Sequence, residues 1–202
     1  MRRIVFIVYP GFQLLDLAGA AAVFSGAVAK GAPLYQVISA SISGGSVLSG
    51  SGIAIATNAI GQTAFDTGDT VIVPGASQDV LRGAMADGEL VGALQAASNA
   101  AGRVAGVSTG SFLLAASGLL DGKQAATHWA STSDFAAAFP RVTLLRDPVF
   151  VEDGGIWTSA GTTTGIDMAL DMVKRDHGNA PAHDIARLLR GRRARARLRE
   201  QD

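Results

Sequence analysis

Short apolar runs alternate along the chain with segments whose apolar residues recur at helical spacing, a pattern that predicts an α/β domain with a mostly parallel sheet. Arg3–Tyr9, Tyr35–Ser41, Thr70–Pro74 and Arg103–Val107 are the runs expected as central strands. Helices are expected over Asp16–Ala29, where Leu17, Ala21, Phe24 and Val28 share a face, and over Gln78–Met85, Leu90–Asn99, Thr163–Lys174 and Ala180–Arg190. Val47–Leu48 and Ile53–Ala56 flank Ser49-Gly50-Ser51-Gly52, which predicts a small hairpin or edge excursion. A short helix is expected from Ser131–Asp134 to Phe139-Pro140. Val142–Leu145, Val149–Glu152 and Ile156–Ser159 are further expected strands, the last two joined by a turn at Asp153-Gly154-Gly155. With no internal repeat and no linker, one domain is expected over residues 1–190, followed by a basic tail over 191–202.

One junction stands apart from the regular alternation. Val104–Val107 is apolar and Phe112–Ala116 forms helix well, so Gly106, Ser108, Thr109, Gly110 and Ser111 must carry the change of direction between them. A strand-to-helix elbow of this kind holds its apex side chain clear of the sheet, beside backbone N–H groups that can stabilise an anion. Ser108 is at that apex. Local sequence leaves two roles open for it, a nucleophile or a cap of the following helix.

Composition narrows the classes of function. The chain has 202 residues, 48% of them hydrophobic, with no apolar run long enough to cross a bilayer. Met1-Arg2-Arg3 followed by Ile4–Tyr9 is too short for a signal peptide and lacks a cleavage site, so a first strand in a cytoplasmic protein is expected. Absence of cysteine excludes disulfides and thiolate metal sites. No metal constellation is visible and no cofactor is expected. From Arg187 onward arginines outnumber acidic residues seven to two, so the rest of this neutral chain is mildly acidic and a poor nucleic-acid surface. The arginine tail has no aromatic residue for stacking on bases and reads as a solvated helix end.

In an open parallel sheet, chemistry gathers beyond the carboxyl ends of the strands. Three loops qualify: Pro10–Asp16, Gly75-Ala76-Ser77 and the elbow at Ser108. They offer a hydroxyl, the Asp16 carboxylate and backbone donors around Ala76 and Thr109, a set suited to addition or acyl transfer. A serine needs a base, and Thr109 cannot be one. His128 is the histidine expected nearest the elbow, either as a packing residue or as a participant. Asp16 reads equally as a helix N-cap.

The segments Tyr9–Gly19, Val71–Gly75, Gly106–Gly122, Ala126–Trp129, Thr158–Gly161 and Gly165–Asp167 resemble, in order, those of the ThiJ/PfpI superfamily, a group similar to class I glutamine amidotransferases. Within it they are similar to the branch of isonitrile hydratases and of the ligand-sensing N-terminal domains of AraC-type regulators. The resemblance implies a flavodoxin-like α/β sandwich, a homodimer and a small-molecule ligand or substrate. It places Ser108 where the nucleophilic cysteine stands, Asp16 as the acid paired with it, and Gly75, Ala76 and Thr109 in the oxyanion-hole loops. His128 falls in a family motif beside the ligand. In the hydratases the thiolate adds to the isonitrile carbon, the acid supplies a proton and water releases an N-substituted formamide.

Three departures from the family pattern, all expected in the pocket, bear on activity: Ser108 for cysteine, Ala20 for a proline after glycine, and Ala76 for a second glycine. They favour a small-molecule-binding or weakly active domain. A second reading is an isonitrile hydratase-like lyase whose natural residue at 108 is cysteine, the serine having been introduced. A third is a serine-dependent amidase or esterase. No helix-turn-helix pair follows the domain, so direct DNA binding is not expected.

Overall fold

The computed structural model describes residues 1–189. Its strands are β1 (Arg2–Ile7), β2 (Val28–Ala29), β3 (Ala32–Pro33), β4 (Tyr35–Ser41), β5 (Gly45–Leu48), β6 (Ala54–Ala59), β7 (Thr70–Val73), β8 (Arg103–Val107), β9 (Gln124–Ala125), β10 (Thr143–Leu144), β11 (Phe150–Asp153) and β12 (Ile156–Ser159). Its α-helices are α1 (Leu14–Gly26), α2 (Gln78–Ala86), α3 (Gly88–Ala100), α4 (Gly110–Ala116), α5 (Thr132–Ala138), α6 (Thr162–His177) and α7 (Asn179–Leu189). Eight strands form one sheet in the order β11-β12-β8-β7-β1-β4-β6-β5. The six inner strands run parallel, and the hairpin partners β11 and β5 lie antiparallel at the two edges.

Strands covered on both faces need apolar residues at every position, which is what β1 and β7 supply. Ile4, Val5, Phe6, Ile7, Val71, Ile72 and Val73 are all fully buried. The end of β8 shows how the two faces are covered. Successive strand residues point to opposite sides. A side chain on Gly106 would run into Ser111 and Leu114 of α4, whereas Val107 reaches Gly165 of α6 on the other side. Helices α2, α3 and α4 pack together on the first face, and α1, α6 and α7 on the second. The result is the expected flavodoxin-like sandwich.

The amino-terminal edge of the sheet is tied by charge. Arg103, at the start of β8, donates to Thr70 Oγ1 at 2.9 Å and to both carboxylate oxygens of Asp176, at 2.8 and 3.3 Å. Tyr35 at the start of β4 donates its hydroxyl to the same carboxylate at 2.8 Å. Asp176 lies in α6, so one buried group joins two strands to a helix.

Several elements differ from expectation for local reasons. α1 starts two residues earlier than Asp16 and stops at Gly26, because Lys30 and Gly31 take positive φ and fold Val28–Pro33 into its own short hairpin. Only Thr143–Leu144 of the expected Val142–Leu145 strand is extended, and it pairs with Gln124–Ala125 outside the main sheet. The hairpin is more than an edge excursion, since β6 also joins β4 in parallel. Among the described residues no helix is long and apolar enough to cross a membrane. The expected basic tail, and Arg190 at the end of the last predicted helix, lie outside the described residues.

Candidate functional site

Parallel strands bring their carboxyl ends to one edge, and the loops after β1, β7, β8 and β12 meet there. They enclose a cleft of about 560 Å³ lined by Asp16, Ala76, Ser108, Thr109 and His128, together with Gln13, Gln78, Ser131 and Thr162. Five of the six residues singled out from the sequence therefore share one cleft. Gly75 lies behind it and contributes through its amide.

Ser108 takes φ +56° at the turn from β8 into α4. This left-handed conformation costs a non-glycine residue about 1–3 kcal/mol, so the surrounding hydrogen bonds must impose it. Ser108 donates its amide to Ser159 O at 3.1 Å, and its carbonyl accepts from the buried Ser111 hydroxyl, also at 3.1 Å. Gly110 allows the tight turn, because a side chain there would strike Val73 O. The hydroxyl of Ser108 bonds to no described residue, and no fully buried side-chain oxygen lacks a partner, so its oxygen faces the cleft. Ser108 is not the cap of α4; Thr109 holds that position and makes no side-chain cap bond.

Asp16 is not an N-cap either. Gln13 precedes α1, and Asp16 sits in the first turn with its side chain 2% exposed. Its Oδ2 accepts from Gly75 N at 2.9 Å and its Oδ1 from the Thr162 hydroxyl at 2.6 Å. Burial pushes this carboxyl above the usual aspartate range, against the pull of those two donors and of nearby His128. His128 is set by its neighbours: Ala126 N donates to Thr158 Oγ1, and Thr127 Oγ1 accepts from Ser111, both at 2.8 Å. Its Nδ1 accepts from Ala130 N at 3.4 Å, which leaves Nε2 to carry the proton of the neutral ring.

The oxyanion loop is occupied by the protein itself. Thr109 Oγ1 accepts from Ala76 N at 3.0 Å and donates to Ala76 O at 2.9 Å, while Gly75 N is held by Asp16. Gln13 N binds Gly75 O at 2.7 Å from the other side. Around Ser108, the amides of Thr109, Gly110 and Ser111 have no acceptor among the described residues. Gly75 must lack a side chain, since one would meet Thr109 Oγ1, with Thr109 N at 2.9 Å and Asp16 Oδ2 at 3.0 Å. Thr109→Val is expected to free the Ala76 amide and speed its hydrogen exchange by about two- to tenfold, the value of one hydrogen bond, as read by NMR. An unchanged rate would mean that the clasp does not persist in solution.

Two readings need correction. Ala20 is buried within α1 and does not line the cleft, so two of the three departures, not three, touch the pocket. The sequence also offered three loops where the structure uses more. Thr162 follows β12, and Gly50 comes from the β5–β6 hairpin, whose turn is pinned by Gly11 N to Leu48 O at 2.8 Å and Gly50 N to Phe12 O at 2.9 Å. Neither had a local signal: Thr162 stands three residues past the expected strand Ile156–Ser159, and nothing in the hairpin's sequence marks its reach. Among the described residues no group of three or more acidic or histidine side chains could hold a metal ion.

Known proteins share this architecture. A ThiJ/PfpI family protein from Pseudomonas syringae superposes with a TM-score of 0.82 at 28% identity, covering 95% of this chain and 75% of that one. An uncharacterized protein in the cpoL 5' region of Streptomyces lividans is 39% identical over 138 residues, 68% of this chain and 95% of its own length. The HTH-type transcriptional regulator CdhR of Pseudomonas aeruginosa is 31% identical over 173 residues, 86% of this chain but 50% of its own length. Isonitrile hydratase of Pseudomonas putida is 36% identical over 108 residues, 52% of this chain and 44% of the hydratase. The chain thus spans about half the length of the regulator it matches. The DJ-1/PfpI family model covers residues 2–175, and the chain belongs to that family.

Proposed function

We propose that this chain is a small-molecule-binding domain built on a hydratase-like site, in which Ser108 turns ligand over slowly or not at all. The observation that carries this reading is the isolation of the Ser108 hydroxyl, which faces the cleft with no hydrogen bond to a base among the described residues. A serine without a proton acceptor stays a neutral alcohol. The engaged amides of Gly75 and Ala76 point the same way, because an oxyanion would have to displace Thr109 or Asp16 to use them. Likeness to half of an HTH-type regulator supports binding as the retained role. A homodimeric state and a cytoplasmic site of action belong to this reading, and light scattering of the purified chain tests the former.

A second reading is an isonitrile hydratase-like lyase whose natural nucleophile at 108 is cysteine. The strained φ of Ser108 favours it, since a conformation that costs energy suits an apex built for a reacting group. Asp16 would then be the acid, its carboxyl kept protonated to higher pH by burial. A serine-dependent amidase or esterase has no such support. The test is incubation of the protein and of its Ser108→Cys form with an alkyl isonitrile while following the formamide. Turnover by the serine form that Asp16→Ala abolishes would overturn the binding reading.

A further inference from the structure

The two oxygens of Asp16 are held by donors of different kinds. Oδ2 faces the Gly75 N–H, which can only donate. Oδ1 faces the Thr162 hydroxyl, which can donate or accept. A proton placed on Oδ2 would oppose the amide hydrogen. A proton on Oδ1 meets an oxygen that can turn to receive it.

Thr162 is the first residue of α6, where a hydroxyl is commonly used to satisfy the helix's own end. Here it is not: Gly161 caps α6 without a side-chain cap bond, and its carbonyl accepts from Gly165 N and the Thr164 hydroxyl, each at 2.8 Å. Asp16 is the partner that Thr162 Oγ1 has among the described residues. Thr162 also lines both the cleft at Ser108 and the adjoining groove beside Trp129.

We infer that Thr162 is a positioning residue, whose hydroxyl makes Oδ1 the proton-bearing oxygen of Asp16 and reverses its hydrogen bond as that proton comes and goes. In the carboxylate state the Thr162 O–H donates to Oδ1. On protonation the new Oδ1–H donates to Thr162 Oγ1, and the threonine hydrogen turns away. Asp16 changes charge without moving, and Gly75 stays bound throughout. This rests on reading Asp16 as the site's acid, and it adds the residue that governs where and when that acid holds its proton.

The titratable groups that bear on Asp16 are Tyr9, on the strand side, and His128, on the opposite wall. Tyr9 is buried with its hydroxyl donating to Pro74 O at 2.9 Å, and burial together with the Asp16 charge pushes its pKa above the usual tyrosine range, so it stays neutral. A positive charge on His128 would draw Asp16 toward its carboxylate. The experiment therefore carries a His128→Gln control.

The test is the titration of Asp16 followed by the side-chain carboxyl carbon signal in ¹³C NMR, in the parent chain and in Thr162→Val and Thr162→Ser. Valine keeps the shape and removes the hydroxyl; its Asp16 midpoint is expected to rise by about one pH unit, the excess of a hydrogen bond to the charged carboxylate over the reversed bond that the neutral acid keeps. Serine is expected to restore the parent value, and His128→Gln to leave the difference between valine and threonine intact. Equal midpoints in the valine and parent chains, or a serine chain that follows valine, would overturn the assignment. Should the valine chain not fold, Thr162→Ala is measured in its place against serine. The readout needs neither turnover nor Ser108. Failure of the hydratase assay would leave it standing, and failure of the titration would leave the binding reading intact.

Discussion

Ser108→Cys is expected to convert alkyl isonitrile into formamide at least about a hundredfold faster than the serine chain, whose rate should stay near background. The size follows from the missing base, since a positioned proton acceptor is worth about 10²–10⁴-fold and serine here has none. Cysteine depends on it far less, because a few per cent of a thiol is already thiolate at neutral pH. The substitution exchanges one atom at an apex whose φ of +56° and flanking bonds are already in place. Asp16 lines the same cleft with a carboxyl that burial holds toward its protonated form. Gas chromatography of the formamide with purified protein decides the matter. Silence from both chains would remove isonitriles as the substrate class and leave binding alone.

Asp176→Ala is expected to cost about 3 kcal/mol of folding stability and to lower Tm by roughly 6–12 °C. The carboxylate is 8% exposed and Arg103 12%, so removing the acid strands a largely buried guanidinium along with the Tyr35 hydroxyl. Burial alone would raise the Asp176 carboxyl, but the hydrogen bonds from Arg103 and Tyr35 outweigh it and hold it below the ordinary 3.8. The sign of the pH effect follows. A carboxyl lowered in the folded state contributes all its stability above 3.8 and loses it as pH falls through the lower, folded value. Asp176→Asn should therefore flatten the acid limb of a Tm-against-pH curve. Asp16 acts in the opposite direction, because a raised carboxyl adds folded-state stability as pH falls through that raised value, keeps the whole gain below 3.8 and loses it as pH rises again. An acid limb unchanged by Asp176→Asn would place the acid sensitivity elsewhere.

These two experiments probe opposite edges of one sheet. Arg2, Tyr35 and Arg103 stand at the amino ends of their strands around Asp176, and the cleft lies beyond the carboxyl ends. Stability and chemistry are thus separable by mutation. Loss of Asp176 should lower Tm while leaving ligand binding at low temperature in place.

The buried strands were legible because near-continuous apolar runs such as Ile4–Ile7 and Val71–Val73 have few alternatives to a sheet covered on both faces. The elbow was legible because a strand and a helix separated by small residues leave little room for another path. What local sequence left open was the use of the side chains. Ser108 and Asp16 each also read as a cap, since capping and catalysis call for the same short polar residues. Thr162 and Gly50 were missed because nothing within a few residues of either foretells the cleft.

Residues taken in order were enough for the α/β alternation, the family resemblance and the serine at the turn after β8. Only folding brings Asp16, Ala76, Thr109, His128 and Thr162 around it, closes Thr109 on the Ala76 amide, and leaves the Ser108 hydroxyl without a base among the described residues. The physical reason is range. Periodicity and turn chemistry act over a few residues, whereas the bond from Asp16 to Gly75 spans 59 positions and that from Asp16 to Thr162 spans 146, and such pairs exist only once the parallel strands have closed.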